Sequence, residues 1–333
     1  MYSILLCYIF TVSLYIYVNA FNLPNDNTKI IIDNDAGGDD AMAIFLALLY
    51  QKHFNGPEVV ALTTVRGNTA EHNVYTNNQR ILKLINRQDV PIYRGINNSL
   101  FPTFGERNYY GTDGLGDTGE SLIDPVPAQP QDAVTALIEL SKKHEGNLII
   151  VTTGPVTNIA MAIVLDPAFL GQLKHLYIAA GHIYSDIHPN AEFNAMADAE
   201  AYFMITQRSS PDKVTLIPFS QIRIHLNFTK EWRQDVLGAI NTDIIKAQNK
   251  FEQVSMKKNV RWQALDPASV AIVVRPDLVK EYKYSRNDIN LCGENRGLNN
   301  NDLVNKEEAN VRLVYSVKED EYKEFLLDVF SKQ

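Results

Sequence analysis

Four carboxylates fall within eight residues in the stretch Ile30-Ile31-Ile32-Asp33-Asn34-Asp35-Ala36-Gly37-Gly38-Asp39-Asp40. The β-branched apolar run before them, residues 29–33, predicts a buried strand. Residues 39–53 are nearly all apolar after the first two, which predicts a buried helix with an acidic N-terminus. The cluster therefore belongs at the C-terminal end of a strand, where open α/β sheets bind ligands. Carboxylates crowded there raise one another's pKa and cost stability. A bound cation removes that cost, and hard oxygen ligands suit calcium or magnesium rather than zinc or copper. An EF-hand loop would need a bidentate Glu at its twelfth position, which counted from Asp33 is Ile44. A phosphatase using the first Asp of a DxD as nucleophile does not require the Asp39-Asp40 pair. The plainest alternative is a solvated acidic turn, with Asp39 and Asp40 favouring the helix dipole.

The elements that must position this cluster alternate along the chain. Strands are predicted at 58–65, 90–93, 148–152, 173–179, 214–218 and 311–316. Helices are predicted at 68–86, 130–144 (with Pro130 in the first turn), 156–165, 198–207 and 319–330. Such alternation implies βαβ units. We expect an α/β fold: a mainly parallel, Rossmann-like open sheet with helices on both faces, in a single large domain. Residues 100–119, rich in Gly and Tyr, read as a long surface loop. Residues 287–305 read as polar and irregular. No composition shift marks a linker, and no internal repeat is present.

Lys and Arg total 31 against 39 Asp and Glu, a net charge of −8, and 45% of the 333 residues are hydrophobic. This is an ordinary folded composition, not a disordered or coiled-coil one. The acidic balance, with no Lys/Arg cluster, argues against a nucleic-acid partner. Two cysteines, Cys7 and Cys292, make neither a disulfide framework nor a Cys-rich zinc site. Residues 1–20 carry no charge, are largely apolar and end in Val18-Asn19-Ala20, which predicts a cleaved signal peptide, with the domain at 21–333. A secreted, extracellular protein with no membrane attachment after cleavage follows. The sequons at Asn97 and Asn227 fit that compartment as glycosylation candidates.

The string Asp33-x-Asp35-x-Gly37-x-Asp39-Asp40 resembles the signature of the calcium-dependent nucleoside hydrolases of the inosine-uridine preferring type, which cleave ribonucleosides into base and ribose. The similarity continues through Val65-Arg66-Gly67-Asn68, Asp113-Gly114-Leu115-Gly116, Thr153-Gly154-Pro155-Val156-Thr157-Asn158-Ile159-Ala160, Ala191-Glu192-Phe193-Asn194 and Leu265-Asp266-Pro267. Five further motifs in the family's order make the resemblance specific.

That resemblance implies one Ca2+ held by Asp35, Asp40, the carbonyl of Thr153 and Asp266. Asp35 would also be the general base toward a calcium-bound water, the catalytic role. Asp39, Asn68, Glu192 and Asn194 would grip the ribose hydroxyls, since amides and carboxylates suit a diol. The family's Asn before the Glu is here Asp186, facing the 5′-hydroxyl. Some members carry a His before the final Asp, here Leu265, and a His before the loop glycine, here Tyr110. Tyr110, His182, His188, His225 and Trp262 are the candidate contacts to the leaving base, by their position near the matched motifs. The implied substrates are ribonucleosides, with a purine preference, and a homo-oligomer (dimer or tetramer) is implied too. The competing readings are a nucleoside-sequestering protein without turnover and a different metal-dependent hydrolase such as a phosphatase.

Overall fold

The computed structural model describes residues 27–101, 108–120, 122, 124–184 and 188–332. The expected signal peptide and Asp186 lie outside them. The first half of the chain runs β1 (Lys29–Asn34), α1 (Gly38–Phe54), β2 (Glu58–Thr64), α2 (Glu71–Leu84), β3 (Ile92–Tyr93), α3 (Ala133–Lys143) and β4 (Leu148–Thr152). It continues with α4 (Thr157–Leu165), α5 (Phe169–Gln172), β5 (His175–Ala179), α6 (Phe193–Ala197), α7 (Ala199–Thr206), β6 (Val214–Ile217) and α8 (Phe219–His225). Next come β7 (Phe228–Thr229), α9 (Asp243–Phe251), α10 (Ser255–Lys258), β8 (Arg261–Trp262) and α11 (Leu265–Val274). The last elements are β9 (Val279–Ile289), β10 (Asn299–Leu303), β11 (Val311–Val317) and α12 (Glu319–Phe330).

Nine strands form one sheet in the order β10-β9-β11-β6-β5-β4-β1-β2-β3. From β3 to β11 every neighbour is parallel, and β9 and β10 add an antiparallel edge. The chain reverses its direction of travel across the sheet between β1 and β4, the crevice where doubly wound folds bind ligands.

Side chains of β1 alternate between the two faces. Ile30 and Ile32 join the core formed with α1, α11 and α12. Ile31 joins the second core, with α3, α4 and α7. An α1 that is apolar on every side is buried from Gly38 to Tyr50 and packs against α11. That burial fixes both helix N-termini over one end of the sheet, and those N-termini carry Asp39, Asp40 and Asp266.

Two expectations fail and a third holds only in part. Pro130 stands outside α3, which begins at Ala133 behind an Asp132 side chain that accepts from Thr135 N at 3.0 Å. An Asx cap satisfies a helix-end N–H, which proline cannot do from that position. Residues 287–305 are not irregular, because β9 runs through Ile289 and pairs with β10 as a hairpin. The described part of 100–119 is a loop, as expected, with Phe101, Thr112 and Asp117 exposed, but it does not lie wholly at the surface. Tyr110 and Leu115 are buried, and Asn77 Nδ2 ties Asp113 O (2.7 Å) and Ala36 O (3.1 Å) together. The Asp113 side chain accepts from Leu115 N and Asp117 N, closing the Gly-rich turn on itself.

Candidate active site

The carboxylates do not act alike. Asp33 is the last inward residue of β1 on the α4 side. Its Oδ1 accepts from Thr63 Oγ1 (2.5 Å) and Asn158 Nδ2 (2.8 Å). Asn158 in turn ties Thr64 O and Ile96 N. This pair cross-links β1, β2 and α4, so Asp33 is scaffold. Burial pushes its carboxyl up to about 7.

Past the strand, Ala36 takes a φ of +36°, a left-handed turn that swings the chain from β1 into α1. Asp40 then accepts from Gly37 N (2.7 Å) with one oxygen and from Thr153 Oγ1 (2.7 Å) with the other. Asp35 accepts from Asn68 N (2.7 Å) and Asn68 Nδ2 (3.0 Å), in the loop that follows β2. Asp266 arrives on the first turn of α11. Among the described residues, Asp39, Asp40 and Asp266 bring carboxylate oxygens within 4.8 Å of one another. That trio differs from the expected ligand set by containing Asp39. Asp35 adjoins it through Asp40.

All of these groups are buried, and burial first, then neighbouring carboxylates, moves them. Asp35 and Asp266 are held well above the ordinary carboxylate range. Asp39 is pushed up to about 7 by burial and the charge of Asp40. Asp40 rises less freely, because Thr153, Gly37 and Asp35 donate or share hydrogen bonds with it. Asp39 Oδ1 is buried with no hydrogen-bond partner. An orphaned carboxylate oxygen beside two more carboxylates fits a hard divalent cation.

The trio opens on a cleft of about 760 Å³ whose walls include Asp39, Asn68, Tyr110, Thr153, His182, His188, Glu192, Asn194 and Asp266. That volume suits a small organic ligand. Glu192 caps α6, accepting from Gly181 N (2.8 Å), Asn194 N (3.0 Å) and Ala195 N (3.0 Å). Asn194 Nδ2 donates to Thr153 O and Ala179 O, both at 2.9 Å, so it aims the carbonyl expected to bind metal. The neighbouring Tyr110 phenol lowers Asp39's carboxyl against the larger effect of burial. Burial holds the Tyr110 phenol well above its usual range. Its ring lies where a Cβ on Gly37 or Gly38 would collide, at 2.6 and 2.8 Å.

One wall is aromatic. His182 and His188 stack at 4.6 Å, and Phe219 stacks on His182 at 6.2 Å. Burial lowers His182 to about 4 and also lowers His188, and the Arg223 cation contributes to both. Two expected base contacts are elsewhere. Trp262 is a core residue: its Nε1 donates to Glu252 Oε1 at 2.9 Å and its ring stacks on Phe228. His225 ends α8 and is not among the cleft walls. Lying near a motif in sequence did not decide on which side of its element either would fall.

The sequence reading missed Tyr109, Phe219, Arg223, Asn259 and Gln263, all of which line the cleft. Phe219 and Arg223 directly follow β6. The rule that located the acidic cluster, that ligands meet the C-terminal ends of parallel strands, would have found them. Of the sequons, Asn97 is exposed, while the Asn227 side-chain oxygen is engaged by Arg261 and Gln263.

A doubly wound sheet with buried carboxylates at its crevice defines a hydrolase-like site, and comparison with known proteins settles the class. Residues 30–324 match the family described as inosine-uridine preferring nucleoside hydrolase. The chain belongs to that family, and it is a hydrolase acting on the N-glycosyl bonds of ribonucleosides. The pyrimidine-specific ribonucleoside hydrolase RihA of Escherichia coli is 29% identical over 261 residues, 75% of this chain and 80% of its own. A plant nucleoside hydrolase matches with a TM-score of 0.80 and 26% identity, covering 92% of this chain and 99% of the other. An inosine-guanosine nucleoside hydrolase matches with a TM-score of 0.82 and 25% identity, at the same two coverages.

Proposed function

We propose that this chain is a secreted, calcium-dependent ribonucleosidase that prefers purine nucleosides and releases free base and ribose. The observation that carries the metal is the buried trio Asp39, Asp40 and Asp266 with its orphaned Asp39 oxygen. Asp35, Asp40, the Thr153 carbonyl and Asp266 would hold the ion, with Asp39 beside them. A calcium ion there would offset the carboxylate charge, order the sugar hydroxyls and acidify a bound water.

The residues supply the rest. Asp35, fixed at both oxygens by Asn68, takes a proton from the attacking water. The remaining carboxylates lie where positive charge develops on the ribosyl ring, and they stabilise it. Asp39, Asn68, Glu192 and Asn194, which all line the cleft, grip the ribose hydroxyls, and Asp186 is assigned to the 5′-hydroxyl. The purine preference is supported by the long aromatic wall of His188, His182 and Phe219, which suits stacking on a bicyclic base. Secretion is supported by the uncharged apolar leader. No helix among the described residues is long and apolar enough to cross a membrane. A homo-oligomer remains part of the reading by family resemblance.

The test is release of base and ribose from inosine, adenosine, guanosine, uridine and cytidine, with calcium and with chelator. We expect chelator-sensitive release, fastest from purines, and Asp35→Ala should lower it by at least about 10³-fold in a folded protein. Calcium-independent release, or an active Asp35→Ala variant, would sink the mechanism. No release from any nucleoside, with nucleoside binding intact, would make the chain a sequestering protein.

A further inference from the structure

Departure of the base is the half of the reaction that the carboxylates cannot help. A nucleobase leaves poorly as a free anion, and some group must meet the electrons it takes. His182 and His188 line the cleft too, but burial lowers both imidazoles, which disfavours the protonated form that could act as an acid. The Tyr110 phenol is buried beside Asp39, whose carboxyl it lowers, and burial holds the phenol itself well above its usual range. Among the described residues that line the cleft, Arg223 is the only Lys or Arg. Its guanidinium sits 5.9 Å from the centroid of Phe219, the ring that stacks on His182. It is near enough to both imidazoles that its charge disfavours their protonation. The one fixed positive charge among the described cleft walls is therefore placed on the aromatic wall.

Resting on the nucleosidase reading, we propose that Arg223 is the catalytic residue that receives the departing base, and that it selects bases presenting two adjacent acceptors, the 6-oxopurines. A guanidinium fork matches the O6 and N7 acceptors of guanine or hypoxanthine, whereas adenine offers an amino donor beside N7. It also pairs with the negative charge that develops as the bond breaks. The C1′–N bond breaks with both electrons going to the base, while the oxygen of water bonds to C1′. One water proton passes to Asp35 and later to solvent. The base anion, held by Arg223, takes its proton from solvent. An arginine suits this because it keeps its charge and donates in a rigid plane.

The experiment compares kcat/KM of the wild type, Arg223→Gln and Arg223→Lys on inosine, adenosine and 4-nitrophenyl riboside, all with calcium. Nitrophenolate is a stable anion and needs no partner to leave. A lost charge-assisted hydrogen bond predicts a fall of roughly 10- to 100-fold on inosine for Arg223→Gln. The falls on adenosine and on the nitrophenyl riboside should be at least about fivefold smaller, and Arg223→Lys should regain part of the inosine activity. Equal losses on all three substrates, or no loss on inosine, would overturn the assignment while leaving the nucleosidase standing. A wild type inactive on all three would overturn both.

Discussion

Asp35 is confined by absences as much as by contacts. Gly67 and Gly154 flank it, and a Cβ on Gly67 would collide with its carboxylate, while one on Gly154 would stand 2.9 Å from its Cβ. Neither glycine has a positive φ, so the requirement is space and not backbone conformation. Gly67→Ala must therefore push the carboxylate off the line that Asn68 gives it. A general base displaced by even 1 Å predicts a loss of about 10²-fold in kcat. Steady-state kinetics alongside a melting curve would read it, and a variant that keeps kcat would show that the carboxylate tolerates the shift. At this scale the sequence made the carboxylates legible, because Asp35, Asp39 and Asp40 are local and Asp266 carries its own Asp-Pro motif. It did not separate Asp33 from Asp35, since residues two apart share a face of a strand and only the turn past Asn34, where β1 ends, takes Asp35 to the crevice. It also could not show that Gly67 and Gly154 meet the same side chain, since that contact exists only once β1, β2 and β4 lie side by side.

At the scale of elements, residues 287–305, which hold the end of β9 and all of β10, read as irregular because Asn, Asp and Gly are frequent there and strand propensity is low. Their role explains the composition. Asn299 Oδ1 accepts from His182 N at 3.1 Å, and Asn301 Nδ2 donates to His182 O (2.9 Å) and Ile183 O (3.1 Å). The asparagines of an edge strand thus hold the backbone of the segment that carries the aromatic wall. Three hydrogen bonds do here what strand pairing does elsewhere, and only side chains with both a donor and an acceptor can do it. Asn301→Ala leaves two carbonyls without that donor, at a cost of about 1–3 kcal/mol in stability. It should also raise KM for nucleosides several-fold, with a smaller change in kcat, because the wall moves while Asp35 does not. A fall in kcat with KM unchanged would mean that the segment acts on the chemistry and not on base binding. The strands and helices that bury apolar faces, β1 through β6 and α12 above all, were legible from periodicity. The elements organised by polar contacts were not.

Across the whole molecule, the strand order brings residues from position 33 to position 266 to one crevice, and it concentrates buried negative charge there. This has a consequence for stability that runs opposite to ordinary acid denaturation. Without a cation, Asp33 and Asp39 are raised to about 7, and Asp35 and Asp266 stand well above their usual values. A carboxyl raised in the folded state contributes stability that is present below its unfolded value, near 4, and is lost as pH rises through the folded value. Buried histidines oppose this, two of them most strongly. His175, at the other end of β5, and His182 are both lowered to about 4 by burial. They contribute stability present above about 6.5 and lost as pH falls toward 4. The carboxyls outnumber them, so the metal-stripped chain should melt at progressively lower temperature as pH rises from about 5 to about 8. Calcium binds the ionised carboxylates and removes their mutual repulsion, so its stabilising effect should grow over the same window. The measurement is Tm of stripped and calcium-saturated protein at several pH values. A calcium-induced rise in Tm that is larger at pH 8 than at pH 5 is the expected result. One that is flat or shrinks with pH would mean that the carboxylate cluster is not where the ion binds.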